Sequence, residues 1–288
     1  MTHEEEPTRG LAGRVQALAK RNGPVVTLLF LANLITAVST LATAYGVLWR
    51  NTADWRPPEY AKLRSLRGGH TLERFTKAFG PAAYREPFVS VVPGLDEAEQ
   101  AKLTRHVFRP REEYRVEVIT DPGGSTVVYS VTSCDEGFRP SFEVDRNDDR
   151  RRFTVTLGTP LADVRPEDPT VHQWMTSTGL RQSAVSQHAE AGSQDGRRSY
   201  AWAANDVCPY RSEKQRRASE TFWDAWEDWQ RGRPRDEDTG VVEGSRRDPA
   251  TLTLMRGSPI NVYAETEPGR SVQEYYPALI GVGKDTAD

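Results

Sequence analysis

Apolar residues are concentrated in one run near the start of the chain, at positions 25–49, which holds no charged side chain. As a helix rising about 1.5 Å per residue, this run would be about 37 Å long, and the hydrocarbon core of a bilayer is about 30 Å thick. Trp49 lies where interfacial aromatic residues are found in spanning helices. The pattern predicts a polar tail (1–23), a transmembrane anchor (24–50) and a soluble domain (51–288).

Two other interpretations of this run stay open in the sequence. Ala42-Thr43-Ala44 matches the small-x-small pattern of a signal-peptide cleavage site, and a buried soluble helix is the third interpretation. The long N-terminal region and the apolar residues up to Trp49 favour a permanent anchor. With the short tail inside the cell, the protein is predicted in the plasma membrane as a single-pass protein with an extracytoplasmic C-terminal domain.

Small side chains form a stripe along the predicted span, because they recur at steps of four and three residues. Such stripes let two helices approach closely in lipid, and their hydroxyl groups can bond across the interface. Alternatively, the hydroxyl groups bond back to their own helix. The first interpretation predicts a homo-oligomer formed through Ala32, Thr36, Ser39, Thr43 and Gly46.

After residue 51 the pattern changes to short helices. Pro57-Pro58 opens and Gly68-Gly69 ends a predicted helix at about 59–67. A second helix is predicted at 72–79, where apolar residues recur at steps of three and four. Both predictions place helices before the first strands of the soluble domain.

From residue 114 the apolar period changes to two, which predicts strands. Tyr114, Val116 and Val118 alternate with charged residues, and a turn sequence at 121–124 precedes a second alternation at 127–131. The strict alternation predicts an antiparallel sheet with one side in water.

Further strand patterns complete the predicted fold class. A second hairpin is predicted from 142–144 and 153–157, and weaker alternations occur at Leu252/Leu254 and at 260–264. The predicted class is α+β, with one N-terminal transmembrane helix followed by a soluble domain of antiparallel β-hairpins packed by a few helices.

One long helix is predicted between these strands. Ser212-Glu213-Lys214-Gln215 is a capping-box sequence, and the helix runs to about residue 230. Its tryptophan stripe is interpreted as a cover for the sheet, with an aromatic cradle for a sugar or an amine as the alternative. The candidate residues for binding a ligand or partner are Trp223, Trp226, Trp229, Glu220 and Asp224.

The net charge of the chain argues against nucleic-acid binding. The 288 residues carry a net charge of −3, which is no electrostatic footprint for nucleic acid. Polar segments at 183–198 and 231–250 lack periodicity and are predicted as long loops. Cys134 and Cys208 are 74 residues apart, which fits a disulfide in an exported domain and two small buried side chains in a cytosolic one.

Motifs of known catalytic chemistry are missing from the sequence. It has no Gly-x-Ser-x-Gly elbow, no His-Glu-x-x-His helix and no phosphate-binding Gly-Lys-Ser/Thr loop. The five histidines lack metal-ligand neighbours at helical spacing. We therefore predict no catalytic residue, no metal site and no cofactor, and the sequence favours a protein that is not an enzyme.

A short helix that ends in Gly-Pro before a β-hairpin occurs at 69–81, with Gly69-His70-Thr71, Phe75 and Phe79-Gly80-Pro81. This pattern resembles the helix-then-sheet unit of small envelope lipoproteins of the outer-membrane assembly-factor type. The chain departs from that family because it lacks a lipoprotein cysteine and has a larger second half. The resemblance implies a protein-binding scaffold without a catalytic centre.

Together these patterns predict a membrane-anchored protein of the bacterial envelope whose soluble domain binds a protein partner or a ligand. One alternative is a membrane-anchored hydrolase with a carboxylate acid/base pair assembled in space. Another is a tethered regulator that faces the cytosol.

Overall fold

The computed structural model divides the chain into two compact units, Met1–Pro57 and Pro58–Asp288. The structure describes residues 23, 36, 37, 39, 54–88, 102–144, 152–164, 184–190, 198–209, 212–235 and 242–270. Within the first unit, the backbone N–H of Arg56 donates to Asp54 Oδ1 at 3.1 Å. The guanidinium group of Arg56 also lies 5.5 Å from the ring centre of Trp55.

The predicted transmembrane anchor at 24–50 is wrong. Across the described part of the chain, every helix falls short of the length and apolar character that crossing a bilayer requires. The prediction relied on the length and apolar character of the uncharged run at 25–49, of which the structure describes residues 36, 37 and 39. The single-pass plasma-membrane localisation and the extracytoplasmic C-terminal domain were inferred from that anchor and are corrected with it.

The predicted self-association stripe falls mostly outside the described residues. Thr36 and Ser39 are described, and both are helical and exposed. Ala32, Thr43 and Gly46 lie outside the described residues, as does the cleavage triplet at 42–44.

The second unit, counting a first helix whose two initial residues belong to the preceding unit, contains nine strands and four helices in its described residues. The strands are β1 (Tyr84–Pro87), β2 (Thr104–Arg111), β3 (Tyr114–Thr120), β4 (Thr126–Ser133), β5 (Ser141–Val144), β6 (Phe153–Thr156), β7 (Ala184–Glu190), β8 (Ser199–Asn205) and β9 (Val262–Thr266). The helices are α1 (Arg56–Arg64), α2 (Leu72–Phe79), α3 (Glu213–Gln230) and α4 (Pro249–Arg256). The predicted α+β class is therefore correct for this unit.

Seven strands form one antiparallel sheet in the order β1-β2-β3-β4-β9-β8-β7, and β5 pairs with β6 in a separate sheet. β9, the last of the described strands, lies between β4 and β8. The centre of the large sheet therefore joins segments that are far apart in the sequence.

Both predicted hairpins are confirmed. β3 pairs with β4, with Val118 opposite Tyr129, and the connecting turn is closed by Asp121 Oδ1, which accepts from the backbone N–H of Ser125 at 2.8 Å. In the second hairpin, Phe142 lies opposite Val155. These elements were predictable because their contacts are local and their turn residues are of the expected kinds.

Two weaker predictions were wrong. Leu252 and Leu254 alternate by two but lie on α4, because Asp248 caps the helix and Pro249 occupies its first turn. Part of the segment 183–198, predicted as a loop, forms strand β7. There the buried side chain of Gln187 accepts from the indole N–H of Trp202 at 2.6 Å. This polar side chain therefore helps to hold β7 to β8.

The prediction that one side of the sheet faces water is also wrong, because every residue of β3 and β4 is buried. The charged side chains of one side are paired with each other. Glu117 lies 2.6 Å from both Arg105 and Arg115, and Arg105 also lies 2.6 Å from Glu86. Burying an ion pair costs less free energy than burying an isolated charge, because the attraction between the partners offsets part of the desolvation cost.

The other side of the sheet carries aromatic side chains against α1, α2 and the β5–β6 hairpin. Tyr263 stacks on Phe142 with ring centres 4.1 Å apart, and Phe75 of α2 contacts Tyr129 at 5.5 Å. The Tyr129 hydroxyl donates to the Leu66 carbonyl at 3.2 Å. This rigid aromatic layer supports the loops that follow β4 and precede β9.

Candidate ligand-binding cleft

A cleft of about 440 Å³ lies beyond one end of the large sheet, where β4 and β8 end and β9 begins. One wall is the segment 133–139, and a second wall is the segment 204–209. The exposed side of α3 forms the third wall, and residues 259–261 complete the lining. The cleft is therefore built from segments that are remote in sequence and that the sheet brings together.

A disulfide joins the first two walls. Cys134 follows β4, Cys208 follows β8, and their Cα atoms are 5.3 Å apart. Both cysteines line the cleft and are half-buried. The sequence left their pairing open, and the structure places them in one covalent link that closes a loop of 74 residues.

An asparagine pair ties β8 to the segment before β9. The backbone N–H of Asn205 donates to Asn261 Oδ1 at 2.9 Å, and Asn261 Nδ2 donates to the Asn205 carbonyl at 2.8 Å. The backbone N–H of Asn261 also donates to the Ala203 carbonyl at 2.9 Å. Because both ends of the Asn261 side-chain amide bond to the backbone of Asn205, this part of the cleft is held in one arrangement.

Helix α3 presents an aromatic pair to the cleft. The predicted N-cap of this helix is confirmed, since Ser212 Oγ accepts from the backbone N–H of Gln215 at 3.2 Å. Phe222 and Trp223 both line the cleft, are half-buried, and meet edge to face with ring centres 4.6 Å apart. The cleft thus offers a partly exposed aromatic surface on a regular helix.

The other two candidate tryptophans are structural. Trp226 and Trp229 are buried. The indole N–H of Trp226 donates to Ser258 Oγ at 3.0 Å, and that of Trp229 donates to Thr251 Oγ1 at 2.9 Å. Both tryptophans therefore hold α3 to α4 and its C-terminal end, and the structure separates them from Trp223.

The candidate carboxylates Glu220 and Asp224 are exposed on α3 and are not brought into the cleft lining. Glu220 forms an ion pair with Arg216 of the same helix. Within the ranges that the structure describes, no group of three or more histidine, cysteine, aspartate or glutamate side chains is arranged to hold a metal ion.

Charged residues that were not predicted as site residues line the cleft instead. Asp135, Glu136 and Asp206 contribute three carboxylates, and Arg139 contributes one guanidinium group. The side chain of Arg139 packs on Gly158, where an added Cβ would lie 2.8 Å from Arg139 Nε. The lining is therefore acidic, with an excess of two negative charges.

The signal for these residues in the sequence was the cysteine pair. Asp135 and Glu136 directly follow Cys134, and Asp206 precedes Cys208 by two positions. Had the disulfide been assumed, the two acidic segments would have been placed side by side.

Comparison with protein-family models, with curated proteins and with solved structures gives no match for this chain. The resemblance to envelope lipoproteins at 69–81 therefore gains no support from them.

Proposed function

We propose that the second unit is a binding domain whose cleft accepts an organic cation attached to an apolar body. The cation is either a free amine or a basic side chain of a peptide. The observation that supports this proposal is the combination of Trp223 and Phe222 with three carboxylates in one cleft of about 440 Å³.

The size and chemistry of the cleft fit this class of ligand. Small-molecule sites are typically about 300–1,000 Å³, with apolar and aromatic walls and few polar groups. A cation over an aromatic face gains about 0.5–2 kcal/mol, and the excess negative charge adds attraction. Neutral or anionic ligands gain neither contribution.

One observation argues against hydrolysis through a cysteine nucleophile. Cys134 and Cys208 line the cleft, but their disulfide leaves neither one a thiolate. The aromatic and acidic walls therefore serve recognition in this proposal.

The test is calorimetric titration of the full chain with phenethylamine and with its neutral counterpart 2-phenylethanol. We expect the amine to bind at least about tenfold more tightly, which corresponds to about 1.4 kcal/mol. A blocked phenylalanyl-lysine dipeptide and its lysine-acetylated form provide the peptide arm. Tighter binding by the peptide would identify a partner protein as the source of the cation, and tighter binding by the amine a small molecule.

Trp223→Ala should weaken amine binding about tenfold, since the aromatic face is lost. The matched control is Trp55→Ala, which removes a half-buried tryptophan that does not line the cleft. Equal affinity for the amine and the alcohol, or unchanged binding by Trp223→Ala, would overturn the proposal.

A further inference from the structure

We propose that residues 65–70, together with Arg74 and Arg198, form a second binding site, for the phosphate group of a small molecule. This site is independent of the cleft. Three guanidinium groups donate hydrogen bonds to the backbone of this one loop, and in the described part of the chain a single carboxylate, that of Glu265, pairs with them.

The three arginines converge on the loop through its carbonyl oxygens. Arg74 Nη2 donates to the Ser65 carbonyl at 3.2 Å, and Arg67 Nη1 donates to the Leu66 carbonyl at 3.0 Å. Arg198, from the start of the β8 segment, donates to the Gly68 carbonyl. These bonds orient the guanidinium groups but neutralise none of their charge.

The loop itself is fixed on the sheet. An added Cβ on Gly68 would lie 2.3 Å from the Thr266 carbonyl carbon, so the two backbones are in close contact that needs glycine. The backbone N–H of Gly69 donates to the Thr126 carbonyl at 2.6 Å. A loop held in this way presents its arginines in a pre-organised arrangement, which lowers the entropic cost of binding.

Glu265 is the counter-charge that the fold provides. Its carboxylate is fully buried and lies 3.0 Å from Arg198 and 3.9 Å from Arg67. Among the described residues, no second carboxylate contacts Arg67, Arg74 or Arg198. Counted over the described residues, two positive charges remain in excess, which matches the charge of a phosphate dianion.

Neighbouring groups leave this excess in place. Glu267 approaches the loop through its Cβ, but its carboxylate pairs with Arg270 at 3.4 Å. Burial, and then the positive charges of Arg74, Arg198 and Arg67, lower the pKa of His70. His70 therefore lies within the positive potential of the three arginines.

The guanidinium groups are reachable from solvent. The side chains of Arg67 and Arg198 are 35% and 27% exposed, and Arg74 is exposed on α2. Planar guanidinium groups donate paired hydrogen bonds to phosphate oxygens, and these bonds strengthen where the groups are partly removed from water. The cluster thus has the charge, geometry and access that a phosphate group requires.

The experiment titrates the full chain with inorganic phosphate, and in a second arm with phenyl phosphate, at constant ionic strength maintained by sodium chloride. We expect saturable binding in both arms; a stronger second arm would identify an organic phosphate ester as the ligand, and a stronger first arm inorganic phosphate. Arg74→Ala should weaken phosphate binding about tenfold.

Arg256→Ala is the matched control, because Arg256 is exposed on α4 and lies outside the cluster. Circular dichroism checks that Arg74→Ala stays folded, and Arg67→Lys keeps the charge but removes the planar fork. Equal phosphate binding by the wild-type chain and by both cluster variants, or an effect reproduced by chloride alone, would overturn the proposal. Trp223→Ala should leave phosphate binding unchanged, so this result and that for the cleft are independent.

Discussion

His106 on β2 is a buried imidazole that faces Thr120 on the neighbouring strand. Its Nε2 lies 3.2 Å from Thr120 Oγ1, and the residue is 6% exposed. Burial, and then the positive charge of Arg85, lower the pKa of His106 below its ordinary value of 6.5. The folded protein therefore keeps this histidine neutral at pH values where the unfolded chain binds a proton.

This difference predicts a pH-dependent stability. As the pH falls below about 6.5, the unfolded chain takes up protons that folded His106 resists, so the free energy of unfolding should decrease. His106→Gln should reduce that slope, while the slope from His70, whose pKa is also lowered, stays. Urea unfolding between pH 8 and pH 5.5 gives the free energy of unfolding against pH for the wild-type chain and for His106→Gln. If these two curves run parallel, His106 is not the source of the pH dependence.

Charged residues in the sheet show why alternation was misleading for this protein. Arg115 and Glu117 occupy the polar positions of β3, which predicted a solvent-facing side. They are buried because Glu117 is bonded to two arginines, one of them on β2. The partner on the neighbouring strand depends on sheet register, and one strand's pattern does not contain that register.

At the level of elements, α3 both packs against α4 and lines the cleft, and the even spacing of its tryptophans does not reveal this division. Each step of three residues along a helix turns by about 300°, so Trp223, Trp226 and Trp229 drift by about 60° per step. The last two reach the buried side against α4, whereas Trp223 stays at the edge that faces the cleft. Equal spacing in the sequence therefore gives unequal environments.

We expect the two tryptophan environments to differ in stability measurements. Trp226→Ala removes a buried indole and its bond to Ser258, and should cost about 3–5 kcal/mol. Trp223→Ala, at a half-buried position, should cost about 1 kcal/mol or less. Urea unfolding followed by circular dichroism compares the two variants. Similar losses would mean that the stripe acts as a single packing surface.

On the scale of the whole molecule, the disulfide links the end of β4 to the segment that leads into α3. In the loop-closure model, a cross-link that closes 74 residues reduces the entropy of the unfolded chain and stabilises the fold by about 4 kcal/mol. The Cys134→Ser/Cys208→Ser double variant should lose stability by that amount.

Reductant supplies the control for this prediction. Urea unfolding of the wild-type chain with a dithiol reductant should approach the curve of the double variant, whose own curve should not change. If reductant leaves the wild-type midpoint unchanged, the cross-link contributes little to stability.

The order of the large sheet could not be obtained from local patterns. The β3–β4 hairpin follows from its turn sequence, because its two strands are neighbours in the chain. The placement of β9 between β4 and β8 depends on contacts across more than a hundred residues, such as Val131 opposite Tyr263. Such pairings depend on how much apolar surface all the strands bury together. A short stretch of sequence does not contain that information.

Sequence alone determined the local elements: both hairpins, the limits of α2, the capped start of α3 and the α+β class of the second unit. These depend on periodicity, turn residues and caps, which act over a few neighbouring residues. The uncharged run at 25–49 was not sufficient to predict a membrane span, since the helices of the described residues are too short or too polar to cross a bilayer. Tertiary structure decided which cysteines pair, which tryptophan reaches the cleft, and which carboxylates and arginines meet. Those outcomes require residues from distant segments to share one region of space, and only the packed sheet brings them there.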